Sequence, residues 1–196
     1  MSSAWKQAGV TVDEMLNHRL EVRFTDGGKL AASVANAPAS QVAWNTEFRL
    51  FIVDSPMVKA VVGRSAGRST KLSEVEFDVK ANARNFAVLT LISIDKLPVS
   101  KSRRLLLVAA GNVENTAMGW NASHTSVGRR WGTAPTVCEG IAAQVKLAVA
   151  NKNARVYALN GAGARANEAL ASIVDGKLSF EIGPQFKTLW YEIILE

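Results

Sequence analysis

The run Leu72-Ser-Glu-Val-Glu-Phe-Asp-Val79 constrains this chain more than any other segment. Within it Val75, Phe77 and Val79 alternate strictly with Glu74, Glu76 and Asp78. Successive side chains of an extended strand point to opposite faces, so the run presents one apolar face and one acidic face, with the period of a strand rather than a helix. Such a strand needs neighbours for its backbone ladder and a second layer over its apolar side.

Other segments repeat the demand. Phe86–Ile94 and Arg104–Ala109 are denser in apolar residues and read as central strands. Leu20–Phe24, Phe48–Val53, Val58–Val62, Ala142–Val149, Arg155–Leu159, Leu178–Ile182 and Leu189–Leu195 are further candidates. Asp26-Gly27-Gly28, Asp54-Ser55-Pro56, Asp175-Gly176 and Gly183-Pro184 supply turns between them. About ten short strands, with a turn roughly every 8 to 15 residues, predict an all-β antiparallel sandwich. Val12–His18 reads as a short helix, and Leu30–Ser40, rich in Ala and Ser, as a linker. The expected organisation is therefore residues 1–40 as a linker or the remnant of a preceding domain, and residues 41–196 as the sandwich module.

Composition removes several classes. Of 196 residues, 48% are hydrophobic and 20% charged, which excludes wholesale disorder. No apolar run is long enough for a transmembrane helix. Met1–Lys6 lacks the apolar core of a signal peptide, and Met1-Ser2-Ser3 reads as a start added for expression. One cysteine, Cys138, excludes an internal disulfide, and His18 and His124 alone are too few for a histidine metal centre. Asp54 and Asp175 permit a structural calcium but nothing requires one, so no cofactor is expected. The net charge of +6 comes from scattered residues such as Arg64, Arg68, Arg103 and Arg104. Neither a nucleic-acid nor a membrane partner is expected from that pattern.

Two literal motif matches fail on context. Gly63-Arg-Ser-Ala-Gly67 has the spacing of a hydrolase nucleophile elbow, with Asp78 or Asp95 and His124 as nominal partners for Ser65. An elbow needs a helix after the serine, and here another strand follows. Gly161-Ala-Gly-Ala-Arg-Ala166 matches a dinucleotide fingerprint, but the remaining thirty residues read as antiparallel strands rather than a βαβ unit. The carboxylates of Glu74, Glu76 and Asp78 read as a solvated strand face, and Asn121-Ala-Ser123 is a formal glycosylation sequon with no assigned role.

The segment Gly111–Glu139 is long and aperiodic, and connections of that length are more often functional than short turns are. It holds Trp120 and Trp131 among Asn112, Glu114, Asn115, Asn121 and Arg129. Pyranose rings carry apolar C–H faces that stack on flat indoles, and their hydroxyls match the forked donors and acceptors of Arg and Glu. The candidate carbohydrate-binding residues are Trp120, Trp131, Asn115, Glu114, Asn121 and Arg129, with no catalytic residue among them. The bland alternative is that each indole anchors the loop on the sandwich. Of Trp190 and Tyr191, adjacent on one strand, one is expected in the core and the other outside.

These residues also carry a resemblance. Trp44 with Phe51–Pro56 and Ala60–Gly63, Ala87–Asp95, Ser102–Gly111, Val113–Asn121 with Trp131–Pro135, and the closing Ile182–Ile193 together resemble the C-terminal β-sandwich module of large multidomain bacterial glycoside hydrolases. The likeness spans roughly residues 41–196. It implies a non-catalytic accessory domain, a carbohydrate-binding module, covalently linked to a hydrolase and secreted or periplasmic with it. It carries over no binding residues. Arg129-Arg130 departs from the pattern by making the loop more cationic than a neutral-glycan platform needs. The rival expectations are a structural module that packs on and stabilises the catalytic domain, and, more remotely, a small esterase using Ser65.

Overall fold

The computed structural model describes residues 9–17, 20–27, 29–34 and 41–196. The expectations placed on the first eight residues, on His18, on Gly28 and on 35–40 lie outside the described residues. In chain order the elements are α1 (Val12–Asn17), β1 (Leu20–Phe24), β2 (Leu30–Val34), β3 (Val42–Asn45), β4 (Leu50–Asp54), β5 (Val58–Gly63), β6 (Arg68–Lys71), β7 (Val75–Val79) and β8 (Ala87–Ser93). They continue with β9 (Arg104–Ala110), β10 (Val113–Thr116), β11 (Thr133–Cys138), β12 (Ala143–Ala148), β13 (Ala154–Leu159), β14 (Arg165–Ala169), β15 (Ala171–Val174), β16 (Lys177–Ile182) and β17 (Trp190–Leu195).

The fold is all-β and antiparallel, as expected. An eight-stranded sheet, β14-β13-β17-β9-β8-β5-β4-β3, and a five-stranded sheet, β15-β16-β12-β7-β6, share one core. Val75, Phe77 and Val79 are buried there, as their alternation requires, opposite Leu89, Leu91 and Leu107 of the larger sheet. Tyr191 joins the core at 1% exposure while its neighbour Trp190 is 38% exposed. The Tyr191 hydroxyl donates to the Gly183 carbonyl, closing the turn that carries the chain from one sheet to the other. Among the described residues, no helix is long and apolar enough to cross a membrane.

Where about ten strands were expected, the described residues form seventeen. The seven additional strands share a physical reason. β3 and β14 are the edges of the larger sheet, β6 and β15 the edges of the smaller, and β2, β10 and β11 belong to two-stranded ribbons. An edge or ribbon strand need not bury one face, so its sequence carries no apolar alternation. β11, for instance, is exposed along nearly its whole length. The same reason corrects the Ala/Ser stretch, whose first part is β2 paired with β1, and the aperiodic reading of Gly111–Glu139, which holds the ribbon β10–β11. Thr11 and Glu14 form a capping box at the start of α1, their side chains each accepting the other's backbone N–H. α1 rests against β3.

The outward faces of the two sheets differ. On the five-stranded sheet, Gln144 lies opposite Asp78 and Glu181, and Lys146 opposite Glu76, a polar face of mixed charge. On the eight-stranded sheet, the cross-strand row facing away from the core runs Val53, Ala60, Thr90, Val108, Trp190.

Candidate functional site

Beyond β9 the chain leaves the large sheet and forms the β10–β11 ribbon, closed by the loop 117–132. Directly opposed residues share a face, so Val113 with Cys138 and Asn115 with Thr136 lie on one side, and Glu114 with Val137 on the other. The loop is shaped by its own polar side chains. Asn121 Oδ1 accepts from the backbone N–H of Thr125 at 2.9 Å and of Ser126 at 3.3 Å, and its amide donates to Thr125 Oγ1. Asn115 donates to the Trp131 carbonyl at 3.0 Å and accepts from Thr136 Oγ1 at 2.7 Å. Gly132 takes a positive φ of 73°, and a Cβ there would run into the backbone of Thr116 and Met118. Only glycine lets the two sides of the loop approach so closely.

These constraints bring Trp120 and Trp131 to one open cleft of about 400 Å³, shared with Val113, Met118, Val127 and the Thr125–Ser126 turn. Trp131 is 64% exposed. Trp120 is half-buried, its indole 5.8 Å from the His124 ring, with the Arg84 guanidinium 5.8 Å from its centroid. Among the described residues, the buried Trp120 Nε1–H has no hydrogen-bond partner.

The other expected residues take different places. Asn115 and Asn121 hold the loop rather than line the cleft. Glu114 turns to the opposite side of the ribbon, where it pairs with Arg84 and accepts from Asn112, beside a separate hollow of about 260 Å³. Arg129 is exposed between Gly128 and Trp131, two of the cleft residues. Arg130 donates to the Trp120 carbonyl. The structure adds Val113, Met118, Val127 and Arg84. Arg84 also donates to His124 Nδ1 at 3.1 Å, tying the β7–β8 connection to the loop across forty positions. Nothing in the local sequence of Arg84 marks it for that role.

The motif matches resolve as turns. Gly63–Gly67 joins β5 to the strand β6, Ser65 is fully buried, and among the described residues its hydroxyl has no hydrogen-bond partner. A fully buried hydroxyl without such a partner has neither an activating base in contact nor access to substrate. Gly161–Ala166 falls in the antiparallel connection of β13 to β14. Of the acidic comb, Glu74 pairs with Lys59, Glu76 accepts from Ser69 and Asp78 pairs with Lys80. Among the described residues, no three His, Cys, Asp or Glu side chains converge as a metal site, and the Asp54 carboxylate is occupied by Lys59 and Ser73. No family model, curated protein or solved structure matches this chain.

Proposed function

We propose that this domain is a non-catalytic carbohydrate-binding module, with the Trp120–Trp131 cleft as its polysaccharide platform. The observation that carries the reading is the convergence of two indoles, one of them 64% exposed, on a single open cleft. An indole left in water forfeits the stabilisation that its burial would bring, which a flat apolar sugar face restores. The polar atoms of the Thr125–Ser126 turn stand beside the cleft for sugar hydroxyls. On this reading the module holds a linked glycoside hydrolase at its substrate in a secreted or periplasmic enzyme, raising effective concentration without chemistry of its own.

Affinity electrophoresis against β-glucans, xyloglucan, xylans, mannans and pectins tests the proposal. Retardation in one class, lost in folded Trp131→Ala and Trp120→Ala variants, is the expected result. Retardation that survives both substitutions moves the site elsewhere.

A second reading, an accessory sandwich that stabilises a linked catalytic domain without binding glycan, is favoured by the β1–β2 hairpin. That hairpin belongs to neither large sheet and leaves Phe24 79% exposed. An isolated two-stranded hairpin is marginal in water and gains from packing on another surface. Uniform mobility of the folded chain across the panel would favour this reading.

A further inference from the structure

Charge is sorted around the Trp120–Trp131 cleft. Between Gly111 and Glu139 the chain carries two carboxylates, Glu114 and Glu139, and both line the separate hollow of about 260 Å³. Glu114 is paired there with Arg84, and Glu139 accepts from the Asn112 backbone N–H at 3.3 Å. Among the described residues, none that lines the cleft is acidic. The same segment carries two arginines, Arg129 and Arg130, which follow Gly128 of the cleft and precede Trp131. Both are exposed, and among the described residues neither is paired with a carboxylate.

Arg130 is firmly seated. Its backbone N–H donates to the Val127 carbonyl at 2.9 Å, and its carbonyl accepts from the Gly119 N–H at 2.9 Å. Its side chain lies across Gly119, where an added Cβ would stand 2.8–2.9 Å from the arginine's Cβ, Cδ and Nε. Cβ atoms do not approach other atoms so closely, so glycine at 119 admits this side chain beside Trp120. The Trp120 carbonyl accepts from Arg130 Nη2 at 3.4 Å. That occupies one N–H of a five-donor fork.

A guanidinium fixed beside a stacking surface suits a planar carboxylate, which two parallel N–H···O bonds can grip. A uronic acid offers both features in one ring, an apolar C–H face for an indole and a carboxylate. We infer that the polysaccharide of this cleft is acidic, built of uronic acid sugars, with Arg130 taking the carboxylate and Arg129 adding positive charge next to it. The inference rests on the reading of the cleft as a glycan platform and names its substrate class. A single-stranded nucleic acid also combines stacking with negative charge, but it is held by a cationic groove that tracks its backbone. Here the two arginines are neighbours on one turn.

Titration calorimetry on the whole chain at ~0.15 M salt tests the inference. The probes are polygalacturonate, alginate and glucuronoxylan, each beside its carboxyl-reduced form, which keeps ring and linkage and removes the charge. The expected result is that at least one acid is bound about tenfold or more tightly than its reduced form. Arg130→Gln should erase that preference. Arg64→Gln removes the same charge from an exposed position on the β5–β6 turn and should leave it intact. Gly119→Ala keeps every charge and both indoles, yet its Cβ displaces Arg130 and should cut the preference several-fold. Equal affinity for acid and reduced forms overturns the inference and leaves the glycan platform standing, as does binding of a neutral β-glucan alone. Equal losses in Arg64→Gln and Arg130→Gln overturn it too, because diffuse charge would then be the attraction. Tighter binding of a single-stranded oligonucleotide overturns it in favour of nucleic acid. Failure to bind any polysaccharide, neutral or acidic, overturns it together with the platform reading.

Discussion

Lys59 Nζ lies 2.7 Å from Asp54 Oδ1, and the two residues stand directly opposite one another on β5 and β4, facing inward. The lysine side chain is 2% exposed and also pairs with Glu74 and Ser73, which lead into β7 of the other sheet. This cluster ties the two layers together at one corner. Removing a buried cation leaves two carboxylates without their partner, which is costlier than the pair is worth. Lys59→Met is therefore expected to lose roughly 3 kcal/mol of stability, read from the midpoint of a urea transition with its slope unchanged. A loss below about 0.5 kcal/mol would place the cluster in solvent rather than between the sheets.

Acid stability follows from three carboxylates. Burial opposes ionisation of Asp95, but hydrogen bonds from the Arg103 backbone N–H and the Ser93 hydroxyl hold it well below its ordinary 3.8. Asp54 and Glu192 are held low as well. Burial opposes ionisation of Asp54, yet hydrogen bonds from Lys59 and Ser73 outweigh it and hold the group below its ordinary 3.8. Burial likewise opposes ionisation of Glu192, and the Arg165 and Arg104 guanidiniums outweigh it, holding that carboxyl below its ordinary 4.5. As pH falls, the unfolded chain takes up these protons first. Their contribution is thus complete above about 4.5 and drains as pH drops through 4.5 and 3.8 toward the depressed folded values. Glu192→Gln should cost about 1 kcal/mol at neutral pH, since both arginines are about half exposed, and should flatten this acid limb. Denaturant titrations across the acid range measure both effects, and an acid limb as steep in Glu192→Gln as in the wild type would assign the loss to other carboxylates.

Ser65 bears on the hydrolase spacing around it. Its backbone closes the β5–β6 turn, with N–H donating to Gly63 and C=O accepting from Arg68. Its hydroxyl is buried and has no partner among the described residues, and such a group costs about 1–3 kcal/mol to keep dry. Ser65→Ala deletes only that atom, so the variant is expected to be as stable as the wild type or more stable by about 1 kcal/mol. Thermal unfolding checks this. A clear drop in melting temperature would mean that the hydroxyl has a partner.

The sandwich was legible in the sequence because Val75–Val79 and the dense runs of β8 and β9 are central strands, whose burial writes itself as alternation or apolar density. The edges were not, because β3, β6, β14 and β15 are each paired on one side only and tolerate polar residues on either face. The cleft was half legible. Two tryptophans in a long polar segment pointed to the loop, but which neighbours face it depends on ribbon register. Val113 and Glu114, adjacent on β10, must face opposite sides, and no sequence pattern in an exposed ribbon sets which side meets the cleft. Arg84 was invisible for a different reason, since its contacts at Glu114 and His124 are thirty and forty positions away.

The two cleft tryptophans should separate when stability and binding are measured together. Trp131 is 64% exposed, so Trp131→Ala gives up little buried area and is expected to change stability by no more than about 0.5 kcal/mol. Its backbone carbonyl, held by Asn115, survives the substitution, so the loop keeps its shape. Trp120 is half-buried beneath Arg84 and beside His124, and Trp120→Ala should cost about 2 kcal/mol as those contacts are lost. If the cleft is the polysaccharide platform, both variants lose retardation in the gel although only one loses stability. Trp131→Ala is then the cleaner test, because its loss of binding cannot be ascribed to unfolding. Asn115→Ala completes the set by leaving both indoles in place and freeing the Trp131 carbonyl. It is expected to weaken binding several-fold while sparing most of the stability, and unchanged binding in this variant would show that the indole needs no fixed mount.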